Sequence, residues 1–356
     1  MILSLMLPPL LIAFAITVIA TYLLLPVIKK LGLVDDPKRH IHPAILHTKI
    51  IPRGGGIPIF LGILLTSFFF LPINHTTIAI FFAASLALII GVIDDKFNAI
   101  SKDVSPYLRF LITILCAVIV VGSGVTIPFI TNPFGGIIQF SHFTIPFLPV
   151  TLGDIIAGMW IIWVMTMLNW SKGVDGQMPG IVAISALVIG VLSFRFPYLD
   201  TNSLVDAKLS FIITGASLAF LVFNFYPAKI FPGYGATSMY LLLAVVSILS
   251  SAKLATAILV MGVPTVDALF TIIRRLSEGR SPFWGDKKHL HHLLLRFGYS
   301  QRQIALFYWV ISAIVGTIAL TVHSESKPFA LLLLFAIVGG ALLFLHFLMR
   351  NEKDSA

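Results

Sequence analysis

The chain contains a single cysteine, Cys116, and it sits inside an apolar run, so neither a disulfide framework nor a cysteine-based zinc site is available. Charge is scarce as well. Asp, Glu, Lys and Arg make up 11% of the residues, where a soluble domain carries about 25%. Hydrophobic residues reach 58%. No water-soluble fold of 356 residues can hide that much apolar surface, so the bilayer is the solvent. Internal repeats, low-complexity tracts and linkers are missing, and the chain reads as a single domain over residues 1–356. The first apolar run lacks a basic leading segment and an A-x-A-like cleavage site. It is expected to be a retained helix, not a signal peptide. Acidic residues are outnumbered, 15 against 24 basic, for a net charge of +9. In a membrane protein most of that excess sets topology, so nucleic acid is not expected as a partner. The basic loops suit anionic lipid or phosphate.

Eleven apolar stretches approach the roughly 20 residues that a spanning helix needs. They cover 8–28, 55–73, 77–93, 107–123, 152–169, 180–195, 208–226, 237–252, 254–273, 304–322 and 328–349. Helix is the form that satisfies the backbone internally in lipid. The reading is therefore an all-α integral membrane protein with about eleven transmembrane helices. Of the 24 basic residues, 20 fall on the side of the loops after spans 1, 3, 5, 7 and 9. Only Arg195, Lys208, Lys253 and Lys327 fall on the other. By the positive-inside rule the N-terminus is out and the C-terminus in. The outer segment 124–150 is rich in β-branched and aromatic residues, with Asn-Pro and Gly-Gly turn signals. It predicts a short β-hairpin at the outer interface.

The polar motifs cluster in the five inner gaps. Asp94 and Asp95 close an apolar run at a helix C-terminus, where the macrodipole disfavours negative charge. A solvated helix end is the plain explanation. A carboxylate pair for Mg²⁺ or for proton transfer at a phosphate is the functional one. Asp175 lies in an Asp-Gly turn, with Asn169 and Lys172 on the same short loop. Arg53-Gly54-Gly55-Gly56 opens the second span, either as a phosphate cradle or as a loop-to-helix junction. His289, His291 and His292 lack the ligand spacing of a zinc site. Beside Lys287, Lys288 and Arg296 they look like a pyrophosphate-binding surface, or an amphipathic helix on the membrane. Asp267 is an acid inside a span, which marks a functional candidate or an ion-pair partner.

The motif order resembles the polyprenyl-phosphate N-acetylhexosamine-1-phosphate transferases, the group containing WecA, TagO and MraY. The resemblance rests on GVIDDK at 91–96, NFYPAKIF at 224–231, VPTVD at 263–267 and HLHH at 289–292. It runs from about residue 10 to 350, and the HLHHLLLRFG and IPRGGG forms look like the WecA/TagO branch. It implies transfer of a HexNAc-1-phosphate, GlcNAc-1-phosphate first among them, from a UDP-sugar to undecaprenyl or another polyprenyl phosphate. UMP is released, and the reaction would initiate a cell-envelope glycan in the bacterial cytoplasmic membrane. It further implies Mg²⁺, with Asp94, Asp95 and Asp175 as catalytic acids and metal ligands. The substrate-binding set it implies is His47, Lys49, Arg53, Gly54, Gly55, Asn169, Lys172, Asn224, Lys229, Tyr234, His289, His291 and His292. A homodimer is left open.

Three departures stand against the pattern. Lys172 occupies the place of the second Asn, and Met178-Pro179 replaces an Asp-Gly. Tyr234 stands where the family's F-x-G-D-x-G-S run has a metal-binding Asp, with one residue inserted before Ser238. A neutral phenol is a poor Mg²⁺ ligand. Either the remaining acids and substrate phosphates hold the metal, or Lys172 replaces part of its charge, or activity is altered or lost. A catalytically inactive lipid-phosphate binder is thus one alternative. A secondary transporter is the other, disfavoured because transporters keep their ionisable residues near the midplane.

Overall fold

Side chains just ahead of three helices fix where those helices begin. Asn74 and Thr77, Thr151 and Asp154, and Ser300 and Gln303 form reciprocal capping boxes that satisfy the first free N–H groups. The computed structural model describes residues 2–36, 50–102, 104–147, 149–195, 201–249, 254–283 and 285–354. Its helices are α1 (Ile2–Lys30), α2 (Gly56–Phe70), α3 (His75–Ala99), α4 (Pro106–Gly122), α5 (Leu152–Trp170), α6 (Gln177–Leu192), α7 (Thr201–Asn224), α8 (Thr237–Val246), α9 (Leu254–Val260), α10 (Gly262–Ser277), α11 (Leu290–Arg296), α12 (Gln301–Thr321) and α13 (Lys327–Asp354).

Each of the eleven predicted stretches contains helix. Among the described residues six helices are long and apolar enough to cross a membrane, and the bent pair α9–α10 adds a seventh if it forms one span. Residues 56–70, 106–122, 177–192 and 234–246 form shorter apolar helices. The chain is a multi-pass membrane protein. Its outer faces agree with that solvent: Tyr22, Phe69 and Leu332 are 72%, 73% and 69% exposed, an arrangement suited to lipid and costly in water.

Two stretches depart from a straight-span reading. The run 254–273 is broken by an 80° bend between Val260 and Gly262. Pro264 has no N–H for the carbonyl of Val260, and its ring crowds that turn. The run 237–252 yields a helix that ends at Val246, with all ten of its residues buried. Around α8 pack α2, α3, α5, α6 and α7.

Close approach of helices depends on residues without bulk. A Cβ at Gly62 would lie 1.8 Å from Thr17 Oγ1, and one at Gly215 would lie 2.1 Å from the Leu10 carbonyl. These positions seat α1 against α2 and α7. Two small antiparallel pairs complete the fold: β1 (Val34–Asp35) with β2 (Ile51–Pro52), and β3 (Phe129–Thr131) with β4 (Ile137–Gln139). The second pair lies within 124–150.

Candidate active site

Asp94 and Asp95 occupy the last turns of α3, and both side chains are fully buried. Buried carboxylates must be paired or hydrogen-bonded. Asp95 Oδ1 accepts from Arg53 Nε at 3.0 Å and from the Tyr234 N–H at 2.8 Å. Its Oδ2 accepts from the Gly235 N–H at 3.3 Å. Asp95 therefore caps the 3₁₀ turn 234–236 that leads into α8, where an anion complements the free amides. Arg53 also reaches Asp35 Oδ2 at 3.4 Å. Asp94 takes a different set: Arg109 Nη1 at 3.2 Å and Asn98 Nδ2 at 3.1 Å.

Lys172, just past α5, meets the same turn. Its Nζ donates to Asn169 Oδ1 at 2.6 Å and to the Gly233 carbonyl at 2.9 Å. Two cations approach the Tyr234 ring, the Arg109 guanidinium at 5.2 Å and Lys172 Nζ at 5.4 Å. Burial first, and then the neighbouring Arg53, push the Lys172 amine down to about 7, against the opposing pull of Asp95 and Asp94.

Asp175 and Asn224 act as a clamp between loops. Asp175 Oδ2 accepts the Ala228 N–H at 2.9 Å, and its own N–H donates to Gln301 Oε1 at 3.2 Å. Asn224 Oδ1 accepts the Gly176 N–H at 3.0 Å, and its Nδ2 donates to the Ile230 carbonyl at 2.9 Å. Lys229 is exposed, and only its backbone N–H is used, toward Phe223.

The histidine segment is docked through α10. Asp267 Oδ2 lies 2.9 Å from His289 Nδ1, and Oδ1 accepts the Leu290 N–H at 2.9 Å. Arg274 and Arg275 grip Asp286 at 2.8 and 2.9 Å. Against the upward push of burial, their hydrogen bonds hold Asp286 well below the usual carboxylate range. His291 packs on the Asp175 loop so tightly that a Cβ at Gly173 would fall 1.9 Å from its Nε2. Burial, then the neighbouring His289, pushes His292 down to about 4, and burial holds His291 well below its ordinary value. At neutral pH these two rings are uncharged. They can donate or accept hydrogen bonds.

Of the expected residues, Arg53, Asp94, Asp95, Asn169, Lys172 and Tyr234 come together. Asp175, Asn224, His289, His291 and His292 form an adjoining wall. His47 and Lys49 lie outside the described residues. The glycines have another use. The Gly55 and Gly56 N–H groups donate to the Phe231 and Pro232 carbonyls at 3.0 and 2.9 Å. A Cβ at Gly55 would sit 2.4 Å from the Phe220 ring. Those amides, which a phosphate would use, are already engaged.

The donor set does not make a carboxylate cage for Mg²⁺. Among the described residues no three His, Cys, Asp or Glu side chains gather as metal ligands. Asp94 and Asp95 instead face arginines and amide groups, and Asp175 faces the Ala228 amide, so the expected trio is not brought together as one ligand set.

Sequence reasoning missed Arg109, Asp35 and Asn98. Arg109 carried a usable signal: it is a cation in the first turns of α4, where the dipole disfavours it. That is the mirror image of the clue that singled out Asp94 and Asp95.

Residues 77–251 match the model of glycosyl transferase family 4. The probable undecaprenyl-phosphate N-acetylglucosaminyl 1-phosphate transferase of Bacillus subtilis strain 168 is 28% identical, over 92% of this chain and 88% of its own length. The decaprenyl-phosphate N-acetylglucosaminephosphotransferase of Mycolicibacterium smegmatis is 28% identical over 87% and 82%. The undecaprenyl-phosphate alpha-N-acetylglucosaminyl 1-phosphate transferase of Haemophilus influenzae is 28% identical over 83% and 81%. A likeness that spans more than four fifths of either chain in every case is one of whole proteins and not of a shared segment; together with the match to the glycosyl transferase family 4 model, it marks this chain as a phosphotransferase similar along its length to the polyprenyl-phosphate N-acetylglucosamine phosphotransferases.

Proposed function

We propose that this chain transfers N-acetylglucosamine-1-phosphate from its UDP-sugar to a polyprenyl phosphate, at the cytoplasmic face of a bacterial membrane. The observation that carries this reading is the ring of Arg53, Arg109 and Lys172 around Asp94, Asp95 and the 233–235 turn. Half-buried cations backed by carboxylates are suited to hold phosphates while charge moves between them. The names of the three relatives supply the lipid and the sugar.

In the reaction, an oxygen of the lipid phosphate bonds to the β-phosphorus of the UDP-sugar. The bond from that phosphorus to the bridging oxygen breaks, and the electron pair leaves on UMP. Asp94 is our choice for the acceptor of any proton still on the lipid phosphate. Its partner Arg109 is 25% exposed against 15% for Arg53, so Asp94 is the acid that an arriving phosphate can uncover by drawing its arginine away. Asp95 stays bound to the turn. Asp175 and the histidine wall would orient the nucleotide. No step is assigned to a metal.

Topology is part of the proposal. Polar residues of the site follow α3, α5, α7 and α10 and precede α2, α4, α6, α8 and α12. Alternation of that kind supports eleven crossings with all these loops on one side, and the basic-residue bias supports the cytoplasm as that side. A homodimer remains compatible with this arrangement.

The direct test is UMP release by the purified chain given undecaprenyl phosphate and UDP-N-acetylglucosamine. UMP formed only when both substrates are present is the expected result. Absence of UMP with any UDP-HexNAc, together with substrate counterflow in vesicles, would replace the enzyme by a transporter.

Asp267→Asn gives a narrower test. The buried Asp267–His289 contact is charge-assisted, and such hydrogen bonds are worth about 1.5–3 kcal/mol. The expected result is an apparent KM for the UDP-sugar raised roughly 10- to 150-fold, that bond energy converted to a ratio, with the KM for lipid unchanged. Equal increases in both would show that the histidine wall does not serve the nucleotide.

A further inference from the structure

Phosphoryl transfer needs positive charge beside the oxygens of the transferring group, and a divalent ion is the usual source. Such an ion needs anionic oxygens that are free to turn toward it. At this site the acids are committed elsewhere. Asp95 faces Arg53 and two backbone amides, Asp94 faces Arg109 and Asn98, and Asp175 faces the Ala228 amide.

Lys172 presents the opposite situation. Its Nζ contacts two neutral oxygens, Asn169 Oδ1 and the Gly233 carbonyl, at 2.6 and 2.9 Å. An ammonium carries three N–H donors. Two are directed by these oxygens, which aims the group without neutralising it and leaves a donor for a substrate oxygen. The residue beneath it is Tyr234, whose ring lies 5.4 Å from Nζ. A ring face stabilises a cation but gives no ligand to a metal. The next residue's amide, at 235, and that of Tyr234 itself are turned to Asp95. Lysine, turn and tyrosine thus form one unit that holds the amine at a fixed position.

We propose that Lys172, in the transfer reaction proposed above, supplies the charge that a divalent cation would otherwise supply, so that this chain handles a diphosphate substrate without a divalent metal. The inference rests on the transferase reading for its reaction but not for its ligand chemistry. A bound phosphate would add negative charge beside the amine and favour its protonated form, which offsets the effect of burial.

The experiment uses the full chain in detergent. UMP release is measured with undecaprenyl phosphate and UDP-N-acetylglucosamine, in excess Mg²⁺ and in excess EDTA. Equal rates are expected, and Lys172→Ala should reduce both by at least about 100-fold, as for loss of a positioned charge at the transferring group. Binding is read separately. Titration calorimetry in EDTA should show UDP-N-acetylglucosamine binding that weakens in Lys172→Ala, and electron paramagnetic resonance should show no saturable Mn²⁺ site. Loss of activity in EDTA with recovery in Mg²⁺, or a saturable Mn²⁺ site abolished by Asp94→Asn, would overturn the proposal. No UMP under any condition would sink the transferase reading alone. The binding arm would then decide this one, and nucleotide-sugar affinity indifferent to Lys172→Ala would end it. Lys172→Arg, which keeps a charge but not its compact geometry, separates misfolding from lost chemistry. It should melt like the parent and retain part of the affinity.

Discussion

Asp95→Asn is expected to lower UMP release by at least about 100-fold, the scale of losing a positioned charge-stabilising group. The side chain is fully buried and accepts from Arg53 and from the amides of residues 234 and 235. Asparagine keeps one acceptor oxygen and brings an NH₂ group to face a guanidinium or an amide hydrogen. One donor loses its acceptor if the NH₂ takes the place of Oδ2, and two if it takes the place of Oδ1. Among the described residues Arg53 then keeps its ion pair with Asp35, at 3.4 Å. Removing one partner of a buried ion pair typically costs about 3–5 kcal/mol. Arg53 retains some exposure, so the lower end is expected, and thermal unfolding should show a reduced midpoint. Asp94→Asn should cost as much activity and less stability, because Arg109 is the more exposed arginine. A wild-type rate in both variants would place the chemistry elsewhere.

Gly91→Ala is expected to damage the site from behind, without touching any charged group. A Cβ on Gly91 would lie 2.4 Å from Gly235 Cα, 2.5 Å from Gly235 N and 2.7 Å from Tyr234 C. All three are backbone atoms, so no rotamer change relieves the clash. Overpacking of this kind costs about 1–3 kcal/mol. The displaced strand of chain is the one whose amides Asp95 holds and whose carbonyl holds Lys172. The expected outcome is a folded protein with a lower melting point and at least tenfold less UMP release, because sub-ångström placement governs transfer between phosphates. Gly122→Ala is the control. Nothing lies within 4 Å of a Cβ there, and alanine is the better helix former. Stability and rate equal to the parent's in Gly91→Ala would show that the turn does not need this contact.

Much of the architecture was legible because hydrophobicity is a local property. The runs 77–93 and 152–169 fall inside α3 and α5, and the Asn-Pro and Gly-Gly signals fall around the β3–β4 pair. The 80° bend between α9 and α10 was written in Pro264 but was read over, since the apolar run continues through it. The short α8 was read as a longer span for a similar reason. A helix sheathed by other helices and a helix facing lipid have the same composition.

The candidate site divides in the same way. That Asp94, Asp95, Asp175 and the histidines belong at one end of the molecule follows from alternation along the chain. Their partners do not. Arg53 meets Asp95 across 42 positions, Lys172 meets the Gly233 carbonyl across 61, and His289 meets Asp267 across 22. The glycines at 55 and 56 left a phosphate cradle and a loop-to-helix junction both open, and only packing revealed that they admit Phe220 and the 235 backbone. The sequence by itself determined the solvent, the helices and the end of the bundle at which the polar motifs gather, because each depends on residue type and spacing along one segment. The tertiary structure alone decided which cation faces which acid, and that Lys172 and Tyr234 share one turn. Those choices depend on how closely separate helices approach, a distance set by the joint fit of many side chains and absent from any single stretch of sequence.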